Sequence, residues 1–164
     1  TLTNAFVGGG QRNQASSLMS AIAGGSGNVA SGIFSFVGGG ASNAATSNYS
    51  VVIGGLTNRA AGSYAMVGGG FQNLASGTYA AVPGGVSNTA SGQASFAAGS
   101  SARATNSNSF VWGGTTTTNT DSIAAGSFTV RAPGGAKFYS TDTNLVIGPS
   151  LDPGGTDWVA NSDS

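Results

Sequence analysis

The chain of 164 residues carries five basic and five acidic side chains and no cysteine. It therefore lacks both a cationic surplus for nucleic-acid phosphates and the thiols for disulfides, thiolate nucleophiles or thiolate metal sites. Only 6% of residues are charged and 29 are glycine, yet no apolar run nears the ~20 residues needed to span a bilayer, and a 39% hydrophobic share set at regular intervals argues against disorder.

The chain opens inside a repeat, with no charged leader before an apolar core, and reads as a piece of a longer polypeptide. Asn13, Asn28, Asn43, Asn58, Asn73 and Asn88 recur every fifteen residues. Glycine pairs keep the same interval at Gly9-Gly10, Gly24-Gly25, Gly39-Gly40, Gly54-Gly55, Gly69-Gly70 and Gly84-Gly85, as do Ala15, Ala30, Ala45, Ala60, Ala75 and Ala90. A period this short is too small for a helix pair or a leucine-rich repeat. It suits two short strands and two tight corners per unit, each unit one coil of a parallel β-solenoid rising by ~4.8 Å.

Stacked coils turn each repeat position into a column. Val7, Ile22, Val37, Val52, Val67, Val82 and Ala97 form a stiff, β-branched column that fits the interior. A second column pairs with its neighbour two residues on: Phe6 with Gly8, Ala21 with Ala23, Phe36 with Gly38, Val51 with Ile53, Met66 with Gly68, Ala81 with Pro83. Where the first member is largest the second is glycine, as close packing demands, so a second buried face with a thirty-residue superperiod is expected. Phe34, Tyr49, Tyr64 and Tyr79 add an aromatic column beside it, and the face is expected to meet another copy of the chain. The Asn and Gly columns are expected to be structural, supplying positive φ at corners.

From Ser95 the interval shortens. Ser95-Phe96-Ala97-Ala98-Gly99 recurs as Ser109-Phe110-Val111-Trp112-Gly113 and again as Ser122-Ile123-Ala124-Ala125-Gly126. Ser-x-Ala-x-Gly at this spacing resembles the YadA-like heads of trimeric autotransporter adhesins. The resemblance covers roughly residues 3–126 and implies a left-handed parallel β-roll, or β-solenoid, of 14–15-residue coils in a homotrimer. The first six units depart from that family in their fifteen-residue period and Gly-Gly pairs. Residues 1–126 are thus expected to form the roll. Thr115-Thr116-Thr117-Thr118-Asn119-Thr120 interrupts the coils and reads as a projecting loop, functional or merely tolerated.

Residues 127–164 have a different character, with alternating segments on either side of Pro133-Gly134-Gly135 that read as a β-hairpin, a C-terminal cap or tip. This stretch resembles the segment before the intramolecular chaperone autoprocessing domain of phage tail spikes and fibres. The resemblance implies an assembly chaperone cut off at a Ser-Asp junction, for which Ser162-Asp163 is the candidate here.

Histidine and glutamate are absent and the first aspartate is Asp121, which leaves the repeats without an ordinary general acid or base. Asp121, Asp142, Asp152, Asp157 and Asp163 are also favoured in turns, as in Leu151-Asp152-Pro153-Gly154. The glycine pairs carry no Asp for calcium and adjoin no helix or Lys for phosphate. The chain is expected to be no enzyme and to need no cofactor or metal. Sugar recognition needs an aromatic platform with polar neighbours; Trp112, Tyr139 and Trp158 with Asp142, Asp157, Lys137 and Arg131 supply those types, and capping of the exposed strand edges is the competing role for them. The leading expectation is an extracellular trimeric fibre section, on a bacterial surface or a phage virion, that recognises a host or prey cell surface through glycan. The alternatives are a purely structural shaft or spacer and, more weakly, an ice-binding solenoid, for which no column in the first six units is threonine-rich.

Overall fold

A computed structural model describes residues 4–136. Among them there is no helix; parallel strands stack into a β-solenoid of about eight turns. The first sheet has nine strands in chain order: Phe6–Val7, Ala21–Ile22, Phe36–Val37, Val51–Val52, Met66–Val67, Ala81–Val82, Phe96–Ser100, Phe110–Gly114 and Phe128–Arg131. The second has eight, from Gln14–Ala15 through Arg59–Ala60 to Ala102–Ala104 and Thr120–Asp121. Each coil contributes one strand to each sheet, and pairing is in register: Val37 lies opposite Ile22 and Val52, Ala60 opposite Ala45 and Ala75.

The core lies between the sheets and is one side chain thick from each. The β-branched column Ile22, Val37, Val52, Val67 and Val82 is fully buried and continues as Ala97 and Val111; it packs against the alanine column Ala30, Ala45, Ala60, Ala75 and Ala90. A branched residue facing a methyl group fills so narrow a space without a cavity. Val7, on the first described coil, is largely exposed because it has a neighbour on one side only.

The glycine pairs behave as expected in their second member. Gly10, Gly25, Gly40, Gly55, Gly70 and Gly85 have φ between 81° and 97°. The asparagines do not. Their left-handed neighbours are the residues just before them, Arg12, Ser42, Thr57, Gln72 and Ser87, with Gly27 in the same column. The asparagines instead turn inward and are buried from Asn28 to Asn88.

There they form a continuous hydrogen-bond ladder. Asn58 Nδ2 donates to the Gly54 carbonyl of its own coil at 3.0 Å and to the Gly70 carbonyl of the next coil at 2.9 Å. Asn58 Oδ1 accepts from the Asn73 backbone N–H at 3.0 Å, and the pattern repeats from Asn13 to Asn88. The first glycine's carbonyl and the asparagine N–H of each coil, which have no backbone partner, are thereby satisfied, and the second glycine's carbonyl, already bonded by a backbone N–H such as that of Leu56 on Gly70 at 2.9 Å, gains a second donor. The first glycine offers its carbonyl; the second brings its backbone so close to the next coil that a Cβ on Gly55 would run into the Gly70 carbonyl and stand 2.6 Å from Asn58 Nδ2. Asn and Gly-Gly are one device, structural as expected but by side-chain bonding rather than by positive φ.

The second apolar face is solvent-exposed on the single chain. Phe6, Phe36 and Met66 stand outward from the first sheet, and the ring of Phe36 lies over Gly38, whose absent Cβ would sit 3.5 Å from it. The nearest atom to that Cβ is the Ile53 carbonyl oxygen of the next coil, as it is the Ala23 carbonyl for Gly8 and the Pro83 carbonyl for Gly68, so the thirty-residue alternation is set first by close backbone approach between coils and then by the ring beside the glycine.

The last coils differ from the sequence pattern. Phe110 pairs with Phe96 at a fourteen-residue interval, but the next rung is Phe128–Arg131, eighteen residues on. The Ser122–Gly126 recurrence, where the spacing predicts a rung, instead leads the chain out of the second sheet, and Ile123 is 83% exposed. The Ser-Phe dipeptide, shared by Ser95-Phe96, Ser109-Phe110 and Ser127-Phe128, tracks the true rungs. Parallel stacking thus runs past Gly126 to Arg131, and Gly135 N–H closes a turn on the Ala132 carbonyl at 2.8 Å. The return strand of the expected hairpin lies outside the described residues.

Candidate binding surface

With the interior filled, the outward columns make up the surface. Three of them are apolar and adjoin one another around the first sheet. Phe6, Phe36, Met66, Phe96, Phe110 and Phe128 occupy the sheet itself, and Phe96, Phe110 and Phe128 stack with ring centroids 4.8 and 4.9 Å apart. One corner carries Leu56, Phe71 and Val86, bridged coil to coil. The other carries Phe34, Tyr49, Tyr64 and Tyr79, whose rings stack at 5.4, 4.8 and 5.1 Å. The outer side of the second sheet is more polar, with Gln14, Arg59, Thr89 and the exposed ion pair Arg103 Nε–Asp121 Oδ1 at 3.3 Å.

The aromatic corner has an unusual backbone. Phe34, Tyr49, Tyr64 and Tyr79 all have φ between 55° and 61°, a left-handed conformation that bulky side chains seldom adopt. Inter-coil bonds impose it: Tyr49 N–H donates to the Ile33 carbonyl at 2.8 Å and Tyr64 N–H to the Asn48 carbonyl at 3.0 Å. Regular coil spacing then places the rings in contact, which offsets part of the strain.

Of the residues expected to bind a ligand, Trp112 and Arg131 are described. Trp112 sits in the first sheet between Ala98 and Val130, with its neighbours Val111 and Gly113 buried, so it faces outward on the same side as Phe110. Arg131 pairs with Gly113 and so has the opposite parity from Trp112. Its Nε donates to Thr120 Oγ1 at 3.1 Å, across the end of the last coil. The structure does not bring these two side chains together. Lys137, Tyr139, Asp142, Asp157 and Trp158 lie outside the described residues, as do Ser162 and Asp163 of the junction.

Thr115–Asn119 connects the two sheets as an outward loop in the last coil, held by Thr117 N–H donating to Thr115 Oγ1 at 3.2 Å. Among the described residues no three His, Cys, Asp or Glu side chains gather, and Asp121 is the one carboxylate side chain. The stacking of the exposed aromatic corner and of the Phe96–Phe110–Phe128 column is the surface feature that the sequence alone did not bring out. The signal was there in the fifteen-residue spacing of the tyrosines, but ring stacking is a consequence of the coil rise and needed the fold. No protein-family model and no curated protein matches the chain.

Proposed function

We propose that the chain is a section of a homotrimeric extracellular fibre, carried on a bacterial surface or a phage virion, that attaches to a host or prey cell through surface glycan. The observation that supports this reading is the unbroken apolar outer face of the first sheet. Phe6, Phe36, Met66, Phe96, Phe110 and Phe128 run the length of the solenoid on the outer side of that sheet. A contiguous apolar strip of this length calls for cover by protein, and three sister copies around a common axis supply it with one self-consistent set of contacts. The resemblance to YadA-like heads and to phage tail-fibre segments points the same way. Stacking gives such a fibre stiffness and reach, and three copies give avidity.

The test pairs the mass in solution with glycan-array and cell-adhesion measurements on the full chain, the Trp112→Ala variant and a chain lacking residues 127–164. The reading requires a trimer that binds glycan. A trimer that binds neither glycans nor cells would instead make this section a purely structural shaft or spacer. That second reading is favoured by one observation: Trp112 and Arg131 face different ways, so the described end of the solenoid assembles no polar pocket around its tryptophan.

A further inference from the structure

The left-handed corner column runs Met19, Phe34, Tyr49, Tyr64, Tyr79, Ala94, Asn108, all with φ between 51° and 61°. Within the stack each ring face is spent on the next ring, so Tyr49 and Tyr64 offer solvent only their edges. The stack stops at Ala94. The coil beneath Tyr79 is present and normally bonded, with Ala94 N–H on the Thr78 carbonyl at 2.8 Å and Asn108 N–H on the Gln93 carbonyl at 2.8 Å. What is missing is the ring. Tyr79 therefore keeps one face free, and exposure rises along the column from 44% at Tyr49 to 50% at Tyr64 and 56% at Tyr79.

The gap is one coil high. Its roof is the Tyr79 ring, its floor the Ala94 methyl, and its far side the level of Asn108, two coils from Tyr79 and so about 10 Å away. One flat ring in van der Waals contact with the tyrosine fills that space as an extra tooth in the stack. Gln93, next to Ala94, and Asn108, the next residue of the column, are both exposed and carry amides. Such a face-on aromatic with amide neighbours suits the apolar face of a pyranose, and the column from Met19 to Asn108 contains no charged side chain to favour a uronic or sialic acid.

We infer that the notch between Tyr79 and Asn108 is a subsite for a neutral pyranose of a surface glycan, the sugar stacking on Tyr79 at the level of Ala94. This rests on the glycan reading above but places the contact at the corner, about one coil along the stack from Trp112, rather than on the face of the sheet. It also explains why the aromatic column ends in alanine rather than in a residue that would complete the stack.

The decisive variant is Ala94→Tyr, which extends the column with a residue it already accepts at Tyr49, Tyr64 and Tyr79, and fills the notch without disturbing the coil. Methyl glycosides of neutral hexoses and N-acetylhexosamines, titrated against the full chain by saturation-transfer NMR, should contact the protein. Ala94→Tyr and Tyr79→Ala should each weaken the best of them by about tenfold or more, with Ala94→Tyr melting no lower than the parent. Unchanged binding in Ala94→Tyr, or loss only in Trp112→Ala, overturns the notch while leaving glycan recognition intact. Cell adhesion with no pyranose bound by the parent chain overturns the notch as well, whereas loss of both adhesion and sugar binding removes the glycan reading itself.

Discussion

The six fifteen-residue coils and the irregular coils after Ser95 use the same two sheets but satisfy their corners differently. In the regular coils Asn and Gly-Gly act together: Asn88 Nδ2 still reaches the carbonyls of Gly84 and Gly99, at 3.0 and 2.8 Å. One coil later the first glycine is gone, since Val86 bridges Ser100 and the interval has fallen to fourteen. The asparagine goes with it. Asn88 Oδ1 accepts from Ala102 N–H at 2.9 Å, and Ala102 is a fully buried methyl. Losing one glycine removes the carbonyl the amide would serve, and an amide left there without it would be a buried polar group short of a partner. The first sheet responds by running straight through the old corner as Phe96–Ser100.

The fifteen-residue period is therefore set by the ladder and not by the core. The interior column passes from Val82 to Ala97 to Val111 without interruption while the period changes beneath it.

The largest effects should come from breaking the glycine half of the device. Gly55→Ala puts a Cβ into the Gly70 backbone at a φ of 90°, and unfolding free energy should fall by about 3 kcal/mol or more. Gly54→Ala, one residue earlier, meets nothing within 4 Å and should stay within about 0.5 kcal/mol of the parent. Denaturant melts of the pair isolate the role of the second glycine, and equal effects would refute it.

Next comes the amide half. Asn58→Ala leaves the Gly54 carbonyl and the Asn73 N–H without a partner, while the Gly70 carbonyl keeps the Leu56 N–H, and should destabilise by about 3 kcal/mol. Hydrogen exchange should speed at Asn73. The reverse change, Ala102→Asn, should give no gain, because the added amide finds no glycine pair in its own coil.

Val67→Ala opens a cavity between Val52 and Val82 and should lower stability by about 2 kcal/mol in the same melts. The smallest effect belongs to the irregular end. Removing residues 115–118 returns the last coil from eighteen residues to fourteen and should shift stability by less than about 1 kcal/mol, since loop length enters only logarithmically. A large loss would make the threonine loop part of the fold.

How much of this the sequence revealed depends on which interaction governed each column. The interior was legible because Val, Ile and Ala at a fixed interval have one good use in a stacked coil. The asparagines were recognisable as structural, but two properties of Asn compete at a corner: tolerance of positive φ, and a side chain that donates and accepts at once. Burial decides for the second, because in water-free surroundings the unmet carbonyls outweigh a conformational preference. The left-handed positions that resulted, Arg12, Thr57 and Gln72 among them, share no residue type by which they could be picked out. The last rung was missed because Ser122–Gly126 kept the spacing motif while Ser127-Phe128 kept the side chain that stacks.

The proposed trimer requires the solenoid's apolar outer face to be covered by two sister copies. Small-angle scattering on an absolute scale tests it most directly, since it returns mass and shape together. A trimer gives a particle of three chain masses whose stacked section, eight rises between the nine strands of the first sheet, is a rod of roughly 40 Å. A particle of one chain mass at micromolar concentration, with Phe36 and Met66 left to solvent, would contradict it.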